Sequence, residues 1–461
     1  MPESQRLTVR PLGREDPGAL FHREREKPMA FFLDSSLREG ELARYSFLGS
    51  DPIGWFRSRG NRSAFACPWG EEATRGPPID VLRTFLSLLP SAAVGRPPYP
   101  FLGGLVGFFA YDLGRSLEAF PDTKGEDLGV PDIHLALYSR VIVVDHVWGE
   151  AFSIAMAEPP RYELPPIPND VMIADPVVPI PPLSRDAYIE TIEAAKEAIR
   201  EGEIFQVNLS HRQHLRLAGS PELAYERLRT RTPSAFGAYV DVGDHRILSA
   251  SPERFLRVRG REVETRPIKG TRPRGRTSAE DETLARELLA SEKDAAENVM
   301  IVDLERNDLG RVCEFGSVRV PVLRALRRLP NVHHLESVVV GRLREDVAFP
   351  DLLAATFPGG SITGAPKPRA MEIIERLEPH RRGVYTGAIG YISWNGSVDL
   401  NIAIRTATVL GADAYFAVGG GIVADSDPEA EYRETLDKFR GHAEALTAGR
   451  LEVTSDGLRV A

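Results

Sequence analysis

Nine prolines fall between Pro159 and Pro182, and this density constrains the chain more than any other feature. Proline has no amide proton for a ladder or a helix, so the stretch is excluded from helix interiors and central strands alike. It reads as a linker over residues 159–183. The linker divides an N-terminal segment, 1–158, from a second segment, 184–446, and leaves 447–461 as a tail. A length of 461 residues suggests two to three domain-sized units, which this division accommodates.

The N-terminal segment reads as mixed α/β with strands predominating. Residues 29–33 form an apolar run into Asp34 and Ser35, and Leu82, Phe85, Leu86 and Leu89 take the spacing of one helical face. Residues 141–144 and 152–156 flank a turn at Gly149, the pattern of a hairpin. No nucleophile stands beside a base here, so the segment reads as a support. After the linker, Ser184 is placed to cap a helix carrying Tyr188, Ile192, Ala195 and Ile199, which Gly202 stops. Strands are expected at 238–242, 246–248 and 256–258, one long helix over 278–308, and another from Asp427-Pro428.

Several function classes are excluded. A net charge of −9 gives no general attraction for nucleic-acid phosphates. The N-terminus has no apolar core of a secretory signal, and no run of about 18 apolar residues is long enough for a bilayer. Cys67 and Cys313 are the only cysteines, too far apart in sequence for a CxxC motif and without clustered histidines, so neither a disulfide framework nor zinc is favoured. The cytoplasm is the expected compartment.

The chemistry concentrates in the second segment. Residues 266–276 carry Arg266, Lys269, Arg272, Arg274 and Arg276, stiffened by Pro267 and Pro273. A solvated basic turn is one reading. The other is an amine nucleophile at Lys269, its ammonium disfavoured by neighbouring guanidiniums and partial burial. Glu253 follows Pro252 at an expected bulge or strand end, where a side chain is aimed at a cavity. Asp294, Glu297 and Ile301 share one helical face, as do Glu431, Glu434 and Lys438 on the helix from Pro428. Two helices presenting carboxylates suit a hard cation such as magnesium, with positions left for water or substrate. The glycine-rich residues 358–367, including Ser361, lead into a helix at 369–377 and offer an anion site there. Gly419-Gly420-Gly421 ends a strand and offers bare amides, and Arg405, in a strand-like run over 400–408, is a candidate carboxylate clamp.

In order, SPERF, PIKGTRPRG, AENVMIVDLERNDLG, GGSITGAPK, YTGAIGY, AIRT and GGGIVADSDPEAEYRET resemble the motifs of the chorismate-utilising enzymes. That family comprises anthranilate synthase component I, aminodeoxychorismate synthase component I, isochorismate synthase and salicylate synthase. The resemblance covers about residues 185–445, and RYSFLGSDP extends it to the N-terminal segment. It implies an α+β class with the anthranilate synthase component I-like fold, large mostly antiparallel sheets in a sandwich flanked by helices. Within the family, PIKGT resembles the aminodeoxychorismate branch, where anthranilate synthases carry alanine at the position of Lys269.

The resemblance also implies roles. Lys269 attacks C2 of chorismate, Glu253 protonates the departing C4 hydroxyl, and ammonia displaces the lysine by attacking C4. Glu297 and Glu434 match magnesium ligands, with Asp294 and Glu431 behind them. Arg405, Tyr385 and the Gly419 amide hold one substrate carboxylate, Lys438, Gly421 and Thr271 line the metal end, and Gly270 and Ser361 border the substrate. His334 matches a histidine near the ring. Gln206 stands where water-adding siblings carry a lysine base, which argues against isochorismate or salicylate synthesis. No GxCxG turn surrounds either cysteine, so a separate glutaminase subunit is the expected source of ammonia. The alternatives are anthranilate synthase component I and a non-catalytic chorismate-binding subunit. Related synthases carry an effector pocket near Phe32, Leu33, Asp34 and Ser35.

Overall fold

The computed structural model describes residues 6–37, 41–90, 99–171, 182–329, 332–454 and 457–460. Residues 172–181 of the expected linker lie outside them. So do residues 330–331 and parts of the expected tail.

Two large sheets, antiparallel throughout their pairings, carry the fold, one of 11 strands and one of 12. Both draw strands from either side of the proline-rich stretch. In the smaller sheet Phe31–Asp34 pairs with Phe236–Asp241, Phe32 opposite Tyr239. In the larger, Gly104–Phe109 pairs with Ala388–Ser393, Leu105 opposite Ile392. Parting the two segments would therefore open a strand edge in each sheet, with its row of unpaired amides and carbonyls.

The sheets pack face to face because both are apolar on the facing sides. Phe31 and Phe47 of one sheet meet Val106, Tyr138 and Tyr391 of the other, with Phe101 wedged among them. The Phe31 and Tyr138 rings lie 4.6 Å apart edge to face, and Phe101 stacks on Tyr391 at 4.5 Å. The hairpin read from sequence forms as Arg140–Asp145 and Glu150–Met156. Before residue 172 the linker is fastened down: Trp55 Nε1 donates to the Pro165 carbonyl at 3.0 Å, and Leu164, Ile167 and Val171 pack beside Trp55.

Helices cover the outer faces. Arg185–Arg200 starts where Ser184 accepts a hydrogen bond from the Ala187 amide, and Asp427 caps Pro428–Thr447 in the same way. The single helix expected over 278–308 is two, Ser278–Ala290 and Glu292–Gly310. Ser291 adopts extended backbone between them and caps the second by accepting from the Asp294 amide. The strand expected over 400–408 is also divided. Val398–Ile402 belongs to the larger sheet and Thr406–Leu410 to the smaller, and the chain crosses between them with Arg405 at φ +53°. Beyond the last helix, Leu451–Thr454 pairs with Gly457–Val460. Among the described residues no helix is long and apolar enough to cross a membrane.

Candidate active site

Lys269 lies on Ile268–Pro273, an edge strand of the larger sheet rather than the loop expected from its charges. Its partner is Val332–Arg342: Lys269 stands opposite Leu335 and Thr271 opposite His334, with a register shift at Gly270. Gly270 takes φ +82°, and a Cβ there would stand 3.0 Å from Leu288 Cδ1, so glycine alone suits the position. The shift leaves Gly270 out of the ladder, and the Lys269 side chain reaches the helix Glu292–Gly310. Its Nζ reaches Glu297 Oε1 at 3.0 Å, with the two side chains 11% and 13% exposed.

The arginines expected to act on Lys269 are occupied elsewhere. Arg266 pairs with Glu264 and Glu336, Arg272 with Asp294 and Arg274 with Asp281. Carboxylates absorb the positive charge of this stretch, Glu264 and Asp281 from nearby in the sequence and Glu336 and Asp294 from farther away. The local sequence shows the cations but not their distant partners.

Glu253 is where the sequence placed it, at the corner between Arg246–Ser251 and Arg254–Arg259, and it is 4% exposed. Burial pushes its carboxyl up to about 7; the Ser361 hydroxyl, the Lys269 ammonium, the Ile268 amide and Arg405 pull the other way. The Ile268 amide donates to its Oε1 at 3.4 Å. Ser361 faces it with no hydrogen bond of standard geometry. Arg405 feels Glu253 as its charged neighbour, and its guanidinium makes no hydrogen bond or ion pair among the described residues. A partly buried guanidinium without a bidentate partner is suited to a ligand carboxylate.

The expected metal end gathers four carboxylates. Glu297 Oε1 accepts from Gln206 Nε2 at 2.5 Å as well as from Lys269. Glu434 pairs with Lys438 at 2.7 Å, and Lys438 also donates to the Gly419 carbonyl at 3.0 Å. Glu431 accepts from Ser426 Oγ at 2.7 Å and faces Lys293 at 3.5 Å, while Asp294 holds Arg272 at 3.0 Å. Lys438 draws the Glu434 carboxyl below its usual range, with Lys293 and Lys269 adding to the effect. Burial pushes Glu431 up.

All three glycines at 419–421 lie within the strand Asp413–Ile422, which continues past the end expected at 418. A Cβ at Gly419 would meet the Leu209 carbonyl oxygen at 2.3 Å, so this glycine permits close strand pairing. At Gly421 a Cβ would stand 2.6 Å from Glu297 Oε1 and 2.3 Å from Gln206 Nε2, and at Gly420 3.2 Å from Glu431 Oε2. These two glycines leave the space in which the carboxylates converge.

Among the described residues no three His, Cys, Asp or Glu side chains stand close enough to enclose an ion by themselves. Magnesium needs no such cage: it keeps several waters and takes one or two carboxylates. The oxygen-only donor set, the glycine cradle and an ammonium already lodged against Glu297 fit that ion. Glu297 and Glu434 would hold it, with Asp294 and Glu431 beside them.

His334 is buried, and burial followed by Arg405 pushes its imidazole down to about 3. It is a neutral ring near neutrality, its Nδ1 sharing a hydrogen bond with Thr271 Oγ1 at 2.9 Å. Tyr385 is buried, its phenol pushed up to about 12 by burial, with Asn208 and Ser210 as hydrogen-bond neighbours.

Sequence reading missed a second group of acids. Glu305 accepts from Thr265 Oγ1 at 2.9 Å, and its carboxyl is pushed well up by burial and by nearby Glu253. Asp308 receives Lys367 Nζ at 2.5 Å. That lysine opens the helix Lys367–Leu377, so the anion near this expected anion site is a side chain of the protein itself. The signal was available: the face of Glu297 and Ile301 continues through Glu305 and Asp308 at helical spacing. Separately, a large cleft is bordered by Leu33, Asp34, Ser35, Tyr45, Phe236 and Asp399, and neither Lys269 nor Glu253 lines it.

Over residues 43–444 the sequence matches the family of chorismate-binding enzymes, and the chain belongs to that family. The chain is similar to aminodeoxychorismate synthase component 1 of Salmonella typhimurium, with 41% identity over 417 residues, covering 89% of this chain and 91% of the relative. It is also similar to anthranilate synthase component 1 of Thermus thermophilus, 39% identical over 453 residues, covering 94% and 95%. The crystal structure of anthranilate synthase component I from Streptococcus pneumoniae superposes with a TM-score of 0.73 at 32% identity, covering 88% of this chain and 93% of that one. The fold is therefore the anthranilate synthase component I-like α+β sandwich that the motifs imply. Two sibling activities at similar identity leave the choice between them to the chemistry of the site.

Proposed function

We propose that the chain converts chorismate and ammonia to 4-amino-4-deoxychorismate, supplying p-aminobenzoate and folate synthesis. The observation that carries this reading is Lys269, an amine within reach of the anionic end at Glu297 and within the electrostatic field of the acid Glu253. An amine so placed is suited to attack C2 of the ring. Lys269 first gives one ammonium proton to solvent; as the Nζ–C2 bond then forms, two ring double bonds shift and the C4–O bond breaks. Glu253 gives its proton, so water leaves. Ammonia then bonds to C4, the double bonds shift back, and the Nζ–C2 bond breaks. Arg405 and Tyr385 orient one carboxylate of the substrate, with the Gly419 amide, Gly270 and Ser361 bordering it. Lys438, Gly421 and Thr271 line the other end. Magnesium, when bound at Glu297 and Glu434, supplies charge neutralisation for the second carboxylate. The ammonia comes from a separate glutamine amidotransferase subunit, consistent with the "component 1" in the relative's name.

Anthranilate synthesis is the second reading, favoured only by the similarity to anthranilate synthases. It adds ammonia at C2, the carbon that Lys269 takes in the first reading. Purified protein with chorismate, magnesium and ammonium distinguishes the two by mass spectrometry. Aminodeoxychorismate is the expected product; anthranilate with pyruvate would replace the first reading by the second. Chorismate binding without turnover would leave a non-catalytic subunit.

A further inference from the structure

The acids of the anionic end are matched one to one by cations: Lys269 on Glu297, Lys438 on Glu434, Lys293 on Glu431 and Arg272 on Asp294. A site balanced in this way has no surplus negative charge for a dication. One of the four cations must yield before a metal ion binds strongly.

The four are not held equally. Lys438 is anchored twice, by Glu434 and by the Gly419 carbonyl. Arg272 donates to Asp294 and to the Thr271 carbonyl. Lys293 is half exposed and 3.5 Å from its carboxylate, where water screens the pair. Lys269 is partly buried and has Glu297 as its only hydrogen-bonding or ion-pairing partner among the described residues. Glu297 Oε1 is moreover filled, taking both Lys269 and Gln206, because a carboxylate oxygen offers about two lone-pair sites. The same ammonium acts on Glu434, the carboxylate on the facing helix. On its other side it acts on Glu253, so the same ammonium lies between the two ends of the site.

We infer that Lys269 is the internal occupant of the cation site: its ammonium holds Glu297 until a divalent metal takes that carboxylate, and the exchange turns Lys269 toward Glu253 and the substrate. This rests on the proposed magnesium site and adds an order to it, the lysine being released to the ring only once the metal end is filled. The exchange breaks one ion pair and forms one metal–carboxylate bond, with no proton transferred.

Calorimetric titration with magnesium chloride, without chorismate, tests this on the wild-type chain and on Lys269→Met, which keeps the length and removes the charge. Lys269→Gln is a second neutral variant should the first fold poorly, and circular dichroism checks both. Each variant is expected to bind magnesium at least tenfold more tightly than wild type. Equal or weaker binding would overturn the exchange while leaving the magnesium site and the proposed reaction standing. Tighter binding in Lys438→Met alone would assign the occupancy to Lys438 and overturn it equally. Absence of saturable binding in every form would remove the metal site itself, and the product assay would still report on the reaction.

Discussion

At the residue scale, the site works by what surrounds each charge. Glu253 and His334 are both buried beside Arg405, yet burial raises one and lowers the other, since it disfavours the charged form of each. Near pH 7 His334 is therefore neutral, whereas Glu253 is divided between its charged form and the protonated form that has a proton to give. A general acid works only while protonated, so kcat/KM is expected to fall as pH rises through about 7. Glu253→Gln should lower kcat by about 10²- to 10⁴-fold and abolish that limb of the profile. Steady-state rates from pH 5.5 to 9 measure both. Residue types were legible in the sequence: the acid after Pro252, the lysine between Ile268 and Gly270, and the paired glutamates all stand in the site. Their electrostatic partners were not, because the Lys269–Glu297 and Gln206–Glu297 contacts join separate elements.

At the scale of elements, helix starts were legible wherever a cap residue sits beside its first turn, as at Ser184 and Asp427. The break at Ser291 was hidden because polar and apolar residues continue at helical spacing on both sides of it. The edge strand at Ile268–Pro273 was hidden by its charges, since its ladder partner is remote in sequence. Arg405 was read inside one strand because its neighbours are apolar on both sides, although the chain there passes between sheets. The strand Asp413–Ile422 shows how closely elements meet at the anionic end. Gly421→Ala would push Glu297 and Gln206 aside, and a carboxylate displaced by about 1 Å is expected to cost on the order of 10²-fold in kcat/KM. Urea unfolding of the same variant separates this from a loss of fold: the midpoint should move little while the rate falls.

At the scale of the whole molecule, the proline-rich stretch marks a division of the sequence, whereas both sheets run across it. Buried Arg57, from the N-terminal segment, ties the two together. It donates to Asp244 at 3.1 Å and to the Val242 carbonyl at 2.8 Å, and its Nε lies 3.2 Å from His134 Nδ1. Arg57→Ala removes a buried guanidinium from partly buried Asp244, which keeps His245 beside it, and is expected to cost about 1.5–3 kcal/mol, read from urea unfolding. This shared frame brings Glu253, Lys269, Glu297 and Glu434 from four separate elements into one candidate site. The central claim is that Lys269 forms the bond through which ammonia reaches C4. It is tested most directly by the rate at which Lys269→Ala makes aminodeoxychorismate from chorismate and ammonium with saturating magnesium. A fall of about 10³-fold or more is predicted, and a parental rate of aminodeoxychorismate formation would contradict the account.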